Sequence, residues 1–294
     1  MEVKIGIVTR NENSWSSTQL RKALAQRNVA YICFQFPQIV ARVGYSPIAT
    51  VAETRILEEL DGLIIRPIGR GSLEEIIFRM DLLHRLKSLG LYILNPPSSI
   101  EICADKYRVL TLLEAWGLPV PRTVVTENVE EALKAFHELG ADVVVKPIFG
   151  SRGVGLTRVS DPEIAIRIFR AIIFYHGVIY LQEFVSHGVS DIRAFVVGNR
   201  VVAAMRRVAN SWRANVSQGA CPIPLKLDEE LERIAVKSAE AVGCKVAGVD
   251  IIEGQSHPYV VEVNSQPGWQ GLQTVTKTNI AQEIVDFLIS EVKK

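Results

Sequence analysis

Apolar and polar positions in the first third of the chain follow strand and helix periods in turn. Four short apolar runs predict buried strands, at Val3–Val8, Tyr31–Phe36, Gly62–Arg66 and Leu91–Asn95. Apolar residues at helical spacing predict helices over Ser16–Arg27 and Leu73–Leu89, and we expect the segment Pro37–Thr54 to be irregular. Strands separated by helices imply a parallel sheet with right-handed crossovers.

The carboxyl ends of these predicted strands carry candidates for a substrate pocket. Ligands of parallel sheets bind beyond the carboxyl ends of the strands. The residues in those positions are Thr9, Arg10, Arg66 and Pro67. Each of them, taken alone, is also typical of a solvated loop end, so both interpretations stay open.

The middle of the chain contains a glycine-rich loop between two predicted strands. The first strand, Asp142–Pro147, ends near Lys146, and the second runs over Leu156–Val159. The loop between them holds Gly150, Ser151, Arg152, Gly153 and Gly155. Its backbone N–H groups can point at one anion, although the loop is not a Walker A motif. A plain hairpin tip is the alternative, and Lys146 favours the anion site because a lysine leaving an apolar strand needs an anionic partner.

Segments on either side of this loop add further candidates. A helix predicted from Ser98 to about Trp116 carries Lys106, a residue that alone would be assigned to solvent. After a helix over Asp161–Phe174, a strand over Val178–Glu183 passes into a loop. That passage exposes backbone donors and acceptors beside an aromatic ring, which suits a planar base.

A two-residue turn, Gly198-Asn199, predicts a hairpin that ends near Arg206 and Arg207. Arg213 follows a few residues later. A single surface arginine is usually structural, but three arginines close to a candidate anion loop favour a role in binding.

The last predicted hairpin joins Gly248–Ile252 to Val260–Asn264 and carries acidic residues in apolar strands. If the turn centres on Ser256, Asp250 lies opposite Glu262, and alternation places Glu262 and Asn264 on one face. Buried carboxylates without partners are costly, and a hard cation with oxygen ligands removes that cost. We therefore predict a site for Mg²⁺ or Mn²⁺; the alternative is a sheet whose acidic face is solvated.

Composition excludes several classes of function. The chain has 294 residues, 48% of them hydrophobic, and a net charge of +1, which does not suggest a nucleic-acid or membrane surface. It contains no apolar run long enough to span a bilayer and no signal-peptide pattern. Its four scattered cysteines are typical of reduced packing residues in a cytoplasmic protein.

Taken together, these segments resemble the ATP-grasp fold over the whole chain, and in finer detail its branch of ATP-dependent glutamate ligases. The motifs that carry the resemblance are Asp105-Lys106, Gln182-Glu183-Phe184, Asp191-Ile192-Arg193, Trp212-Arg213-Ala214-Asn215, Gly248-Val249-Asp250 and the segment from Glu262 to Gly268. The resemblance implies an α/β (α+β) chain with three parts. These are an N-terminal parallel-sheet domain over 1–98, a central lid subdomain over 99–186 and a C-terminal antiparallel-sheet subdomain over 187–294.

Within this RimK-like branch, two segments look closest to the archaeal enzymes that add glutamate to tetrahydromethanopterin. These segments are Asn210-Ser211-Trp212-Arg213 and Pro267-Gly268-Trp269-Gln270-Gly271. The lysine-biosynthesis ligases of the group carry a different motif at the final strand, which counts against that assignment. A ligase acting on a protein C-terminus or a deazaflavin coenzyme, and a nucleotide sensor without catalysis, stay as alternatives.

The resemblance also implies a chemistry and residue roles. ATP phosphorylates a carboxylate, and an amine then displaces phosphate from the acyl phosphate to form an amide. By the resemblance, Lys106 and Lys146 contact the α- and β-phosphates, and Gly150–Gly155 close over the γ-phosphate. Adenine is held by Gln182, Glu183, Phe184 and Val185, and ribose by Asp191.

Further roles follow from the same resemblance. Arg207 contacts phosphate, Arg193 belongs to the nucleotide-binding set, and Asp250, Glu262 and Asn264 hold Mg²⁺ or Mn²⁺, with two ions expected. Arg213 stabilises the acyl phosphate and its oxyanion, with Lys146 and Asn215 as further catalytic residues. Arg10, Arg66 and Arg193 are candidates to receive the two carboxylates of glutamate. We also expect small-molecule substrates and a homo-oligomer.

Overall fold

In a computed structural model of the protein, which describes residues 3–150, 154–212 and 219–294, the chain begins with a parallel sheet. Its strands are β1 (Lys4–Val8), β2 (Ala30–Phe34), β6 (Gly62–Ile65) and β7 (Tyr92–Leu94), in the order β2-β1-β6-β7. The helices between them are α1 (Trp15–Gln26), α2 (Ile56–Glu59) and α3 (Leu73–Ser88). All three strand pairs are parallel, which confirms the predicted architecture of this region.

The segment predicted to be irregular forms a second, small sheet, so that prediction was wrong. A 3₁₀ turn (Phe36–Gln38) leads into the antiparallel strands β3 (Ile39–Ala41), β4 (Ala49–Val51) and β5 (Thr54–Arg55). Strands of two or three residues are too short to show an alternating pattern in the sequence.

The central sheet is antiparallel and carries the glycine-rich loop. Its elements are β8 (Thr123–Thr126), α6 (Val129–Glu138), β9 (Val143–Lys146), β10 (Thr157–Val159), α7 (Pro162–Phe174) and β11 (Ile179–Glu183). The strand order is β10-β9-β11-β8, and the helices α6 and α7 contact each other.

The single helix predicted from Ser98 to Trp116 is two helices, α4 (Pro97–Ala104) and α5 (Lys106–Ala115). Asp105 separates them and caps the second, because its carboxylate accepts the amide protons of Tyr107 (2.9 Å) and Arg108 (3.1 Å). Lys106 is therefore the first residue of a helix rather than a residue within one.

The C-terminal sheet has five antiparallel strands in the order β14-β13-β12-β15-β16. Its elements are β12 (Ser190–Val197), β13 (Arg200–Val208), β14 (Cys221–Pro224), α8 (Glu229–Ala241), β15 (Val246–Glu253) and β16 (Pro258–Asn264), followed by α9 (Gln270–Gln273) and α10 (Ile280–Val292). The predicted hairpin at Gly198-Asn199 joins β12 to β13, and Gly198 has a φ of 63° there.

Helices near the predicted domain boundaries pack on neighbouring parts of the chain. Val109 and Leu113 of α5 belong to the same apolar cluster as Val249 of β15. In a second cluster, Ile284 of α10 packs with Leu20 of α1. The boundaries at 98 and 186 stay a prediction, and the packing shows that the parts share their cores.

Asn95 connects the parallel sheet to the C-terminal sheet. Its Oδ1 accepts the amide protons of Lys245 and Val246, both at 2.8 Å. Its Nδ2 donates to the carbonyl oxygens of Val246 (2.7 Å) and Ser265 (2.5 Å). Asn95 is only 2% exposed, so these four bonds satisfy the amide in a place that water does not reach.

The four cysteines form no disulfide bond. All four are free, although the sulfur atoms of Cys103 and Cys244 lie 3.6 Å apart. In the described parts of the chain, we find no helix with the length and apolar character needed to cross a bilayer.

We expect Asn95→Ala to lower the free energy of unfolding by on the order of 2–4 kcal/mol, because it leaves several buried backbone groups without partners. The measurement is urea denaturation followed by circular dichroism. Asn13→Ala is the control, since Asn13 is exposed. Equal midpoints for the two variants would show that Asn95 does not hold the two sheets together.

Candidate functional site

A cleft of about 870 Å³ lies between the central sheet and the C-terminal sheet. Its walls combine an apolar part and a charged part. Side chains from β9 and β11 line one side, and side chains from β12, β13, β15 and β16 line the other. The candidate residues on both sheets, predicted separately from the sequence, therefore meet in one cavity.

The apolar part of the cleft has the shape and chemistry expected for a planar base. It is lined by Val144, Leu156, Val185, Ile252 and Val261, with Phe184 beside them. The ring of Phe184 lies 5.9 Å from the ring of Trp212, and the guanidinium carbon of Arg158 stands 3.5 Å from the Phe184 centroid. Contacts on both sides fix the plane of the aromatic ring.

Only part of the segment Glu183–Val185, where β11 ends, is available for hydrogen bonds to a base. The carboxylate of Glu183 accepts from the backbone amide (2.9 Å) and the Nε (2.7 Å) of Arg122. The amides of Glu183 and Phe184 donate to the carbonyl oxygens of Arg122 (3.0 Å) and Asp142 (2.9 Å). Among the described residues, the amide of Val185 has no backbone partner, and we expect it to face the ligand.

Lys146 is a buried cation on the central-sheet side of the cleft. It is the last residue of β9, is 9% exposed, and donates to the Oε1 of Gln182 at 2.5 Å. Gln182 in turn donates from Nε2 to Thr123 at 2.9 Å, which fixes the orientation of its amide. Burial lowers the pKa of Lys146 to about 8, and the negative charge of Glu262 opposes this shift.

Lys106 contacts the start of the glycine-rich loop. Its ammonium donates to the carbonyl oxygens of Ile148 (3.3 Å) and Gly150 (2.8 Å). Burial also lowers the pKa of Lys106, while Glu262 raises it. The flanking Gly150 and Gly155 have positive φ angles of 138° and 83°, which suit glycine. The rest of the predicted phosphate loop, Ser151, Arg152 and Gly153, lies outside the described residues.

Four charged residues form a buried network across β12, β13 and β15. Cross-strand pairing places Asp191 opposite Arg207, and Arg193 opposite Asp250. Arg207 binds Asp191 through Nε and Nη2, both at 2.6 Å, and its Nη2 also lies 3.0 Å from Asp250. Arg193 binds Asp250 through two bonds, one of them from Nη2 at 2.7 Å. The network therefore runs in the order Asp191–Arg207–Asp250–Arg193.

The pairing of the final hairpin agrees with the prediction. Asp250 lies opposite Glu262, and a bulge at Val261 shifts the register beyond that pair. Burial acts to raise the pKa of Asp250, but the charges of Arg193 and Arg207 outweigh it and keep the pKa below its usual range. Glu262 has its pKa raised by burial and by the charge of Asp250.

The residues at this hairpin fit a divalent cation. Asp250 and Glu262 offer carboxylate oxygens on neighbouring strands, and Asn264 lies two residues beyond Glu262 on the same face. The Nδ2 of Asn264 is buried and has no hydrogen-bond partner among the described residues, and the Oδ1 of the same amide is the atom that a hard cation would take. Among those residues, no three acidic, histidine or cysteine side chains are placed to hold a metal ion together, so the amide is needed to complete a set of three.

Several residues with predicted roles are bound to other side chains or lie outside the described residues. Asp191, predicted to contact ribose, and Arg207, predicted to contact phosphate, are bound to each other, although both line the cleft. Arg193 forms an ion pair with Asp250. Arg213 and Asn215, the predicted catalytic pair, are outside the described residues.

Sequence reasoning missed residues that support the cleft from outside. Arg122 fixes Glu183, and Arg158 stacks on Phe184 while its Nε and Nη2 bind Asp142 at 2.8 Å and 2.6 Å. His187 also lines the cavity. The Arg158–Asp142 ion pair joins the two predicted strands that flank the loop. In the sequence, only the opposite charges of these two residues on neighbouring predicted strands indicated this pair.

Comparison with known proteins gives a consistent result. Residues 103–288 match the model of the RimK-like ATP-grasp domain. The chain is 34% identical to the tetrahydromethanopterin:α-L-glutamate ligase of Methanococcus maripaludis, over 99% of this chain and 100% of that one. Identity to the ligase of the same name in Methanocaldococcus jannaschii is 39%, over 81% and 82% of the two chains. Among solved structures, the ATP-grasp ligase PsnB bound to its minimal precursor has a TM-score of 0.80 at 19% identity, over 99% of both chains, and so shares the fold.

We expect the affinity of the cleft for ATP to fall as the pH rises through about 8, the pKa of Lys146. The charged lysine binds phosphate, and the free protein loses that charge above this pH while the complex retains it. The measurement is calorimetric titration of a non-hydrolysable ATP analogue between about pH 7 and pH 9.5. Lys146→Met should bind more weakly and lose this part of the pH dependence. The same slope in both proteins would contradict the assignment.

Proposed function

The chain belongs to the RimK-like ATP-grasp family and is an ATP-dependent ligase, and from this premise we propose that it adds L-glutamate to a carboxylate of a tetrahydromethanopterin-type cofactor. Full-length similarity to ligases of that name supports this choice of substrates. The observation that carries the ATP-dependent chemistry of the proposal is the cleft itself, where Lys106 and Lys146 line one cavity together with Asp250 and Glu262.

The proposed reaction has two steps at one site. The γ-phosphoryl group of ATP passes to the acceptor carboxylate, which gives an acyl phosphate and ADP. The amine of glutamate then attacks the acyl carbon, the C–N bond forms, and phosphate leaves. Phosphoryl transfer of this kind depends on positioning and on neutralising charge more than on covalent catalysis.

The side chains of the cleft have distinct roles in this proposal. Lys146 and Lys106 bind the phosphates, and in doing so Lys106 exchanges its bonds to the glycine-rich loop for bonds to the nucleotide. The apolar part holds adenine, with the backbone of Val185 as its hydrogen-bonding partner. Arg207 orients Asp191 and Asp250.

A divalent cation at Asp250, Glu262 and Asn264 would neutralise the phosphates of ATP. Asp250 is ionised by its arginine partners and so is ready to act as a ligand, since a carboxylate bound by arginine retains further lone pairs. Glu262 has no such partner among the described residues, and burial favours its protonated form until a cation arrives. A second ion, manganese in place of magnesium, a cytoplasmic location and a homo-oligomer stay predictions.

Two catalytic assignments rest on the family resemblance. We propose that Arg213 stabilises the acyl phosphate and the oxyanion of the tetrahedral intermediate, with Asn215 beside it. An arginine that acts on charge developing during the reaction contributes to kcat more than to ATP affinity.

The substrates are tested by measuring ADP release over a panel of amino acids crossed with a panel of acceptors. The acceptors are tetrahydromethanopterin, a deazaflavin coenzyme and a peptide with a free C-terminus. We expect ADP release that requires both L-glutamate and tetrahydromethanopterin, with mass spectrometry showing one added glutamate or more. Turnover with another acceptor would reassign the substrate, and nucleotide binding without any dependent turnover would indicate a sensor.

We expect Glu262→Gln to lower turnover by on the order of a hundredfold or more, because a lost metal ligand should cost more than the ten- to hundredfold of an outer-shell partner. The fold should be retained, since Glu262 holds no ion pair among the described residues. Glu253→Gln is the control, because Glu253 lies on the same hairpin and binds Arg206 at the exposed end. Turnover and Mg²⁺ dependence are the measurements, and equal turnover in both variants would argue against this metal site.

A further inference from the structure

Arg66 is a buried cation without an anionic partner. It follows β6 directly, at the carboxyl end of the parallel sheet, and is 7% exposed. No carboxylate lies within ion-pair distance of Arg66 among the described residues, in contrast to Arg193 and Arg207. Burial lowers its pKa to about 10, so the guanidinium stays charged at neutral pH. A buried charge without a partner destabilises the protein, and an anionic ligand would offset that cost.

The surroundings of Arg66 fix its plane and leave donors unused. Its Nη2 donates to the carbonyl oxygen of Pro267 at 3.2 Å, and its guanidinium carbon lies 4.8 Å from the ring centroid of Trp269. The Nε of Arg66 and the Nε1 of Trp269 are both buried and have no hydrogen-bond partner among the described residues. Trp269 is itself 1% exposed and packs against Trp15 and Phe195.

Arg66 is attached to the segment that follows the proposed metal ligands. Pro267, its hydrogen-bond acceptor, is three residues beyond Asn264, a separation of roughly 10 Å at most. Gln266, between them, donates to the carbonyl oxygens of Ile65 (3.3 Å) and Arg66 (3.1 Å). The segment after β16 is therefore attached to the end of β6.

The same segment also approaches the charged network. A Cβ placed on Gly248 would stand 2.9 Å from Arg193 Nη1 and 2.9 Å from Pro267 Cβ. Pro267 thus contacts the strand that carries Asp250 on one side and Arg66 on the other. A ligand bound at Arg66 would therefore contact the segment that packs against the strand of Asp250.

Arg66 is better suited than the other arginines proposed to receive a substrate carboxylate. Arg193 already binds Asp250 through two bonds. Arg10 is exposed, and its side chain lies across Gly69. Arg66 combines burial, a plane held by Trp269 and the absence of an anionic partner among the described residues, which are features of a preorganised site for a planar anion.

We propose that Arg66, stacked on Trp269, binds a carboxylate of a substrate and so helps to select acidic substrates. The inference rests on the proposed ligase function, in which the amino acid and the acceptor both carry carboxylates. Arg66 takes no part in bond formation; it is a specificity-determining residue that holds one substrate beside the cation and the phosphates.

The test compares Arg66→Lys and Arg66→Gln with the control Arg70→Gln, which removes an exposed arginine from the same loop. The KM for glutamate, the KM for the acceptor and the affinity for ATP are measured for each variant. We expect one of the two KM values to rise by about ten- to a hundredfold, as for a lost hydrogen bond to a charged group. The KM that rises identifies which substrate supplies the carboxylate. The affinity for ATP should be unchanged in the Arg66 variants. Arg70→Gln should keep the KM values and the ATP affinity of the unaltered protein.

Three outcomes would overturn the proposal. The first is an unchanged KM for both substrates, and the second is full activity of Arg66→Gln. The third is a loss of ATP affinity as large as the rise in KM, which would mean that Arg66 only supports the fold. Arg66→Lys keeps the charge without the planar fork, and it should retain the melting temperature while still raising the KM.

A binding assay separates this proposal from the proposed ligase function. L-glutamate, L-glutamine and the acceptor are titrated by calorimetry into the protein loaded with ADP and Mg²⁺. If Arg66 binds a carboxylate, one acidic ligand binds the unaltered protein and loses affinity in Arg66→Gln even when no turnover is found. Equal affinities in the two proteins would contradict the role of Arg66, whatever the reaction proves to be.

Discussion

The carboxylate of Asp250 is buried in the middle of a sheet, and much of the structure follows from its need for partners. It is 3% exposed on β15, and two arginines from β12 and β13 bind it. A carboxylate left alone in such a place would cost several kcal/mol. The two arginines offset that cost only if the three strands hold one register, so the charges specify the pairing together with the apolar pattern. A slip of one residue would turn Arg193 away from Asp250.

The cleft brings two lysines and the acidic residues of the proposed metal site to one cavity. Lys146 belongs to the central sheet and Lys106 to the start of α5, whereas Asp250 and Glu262 belong to the C-terminal sheet, whose Arg207 also lines the cleft. A nucleotide with its cation would be complementary to this arrangement, since its phosphates would bind the lysines and its cation the carboxylates. In the structure, Lys106 binds carbonyl oxygens of the glycine-rich loop, and Lys146 has a neutral amide as its hydrogen-bond acceptor. Both acceptors are neutral, so phosphate would provide the two lysines with anionic partners.

The sequence predicted those features that neighbouring residues determine, such as strand periodicity and turn positions. The parallel sheet, the turn at Gly198-Asn199 and the opposition of Asp250 and Glu262 were all accessible from periodicity and turn residues. The pairing of β12 with β15 was not, because about fifty residues separate the two strands and nothing local specifies their register. The break at Asp105 was missed because the apolar period continues through it, and only the capping geometry reveals the second helix. Strand pairs far apart in sequence, and the ion pairs they create, require the tertiary structure.

The end of β16 is the place where the separate parts of the protein meet. Asn95 binds the carbonyl oxygen of Ser265, Gln266 binds the end of β6, and Pro267 accepts a hydrogen bond from Arg66. Three consecutive residues after the last proposed metal ligand are thus attached to the parallel sheet. A displacement of that sheet would move Asn264, and a ligand at Arg66 would restrain both. The N-terminal part of the chain consequently does more than complete the fold, because it fixes the position of the hairpin on which a cation would bind. The proposed carboxylate site at Arg66 and the proposed metal site would share one short segment of backbone, and through this segment the packing would couple the two.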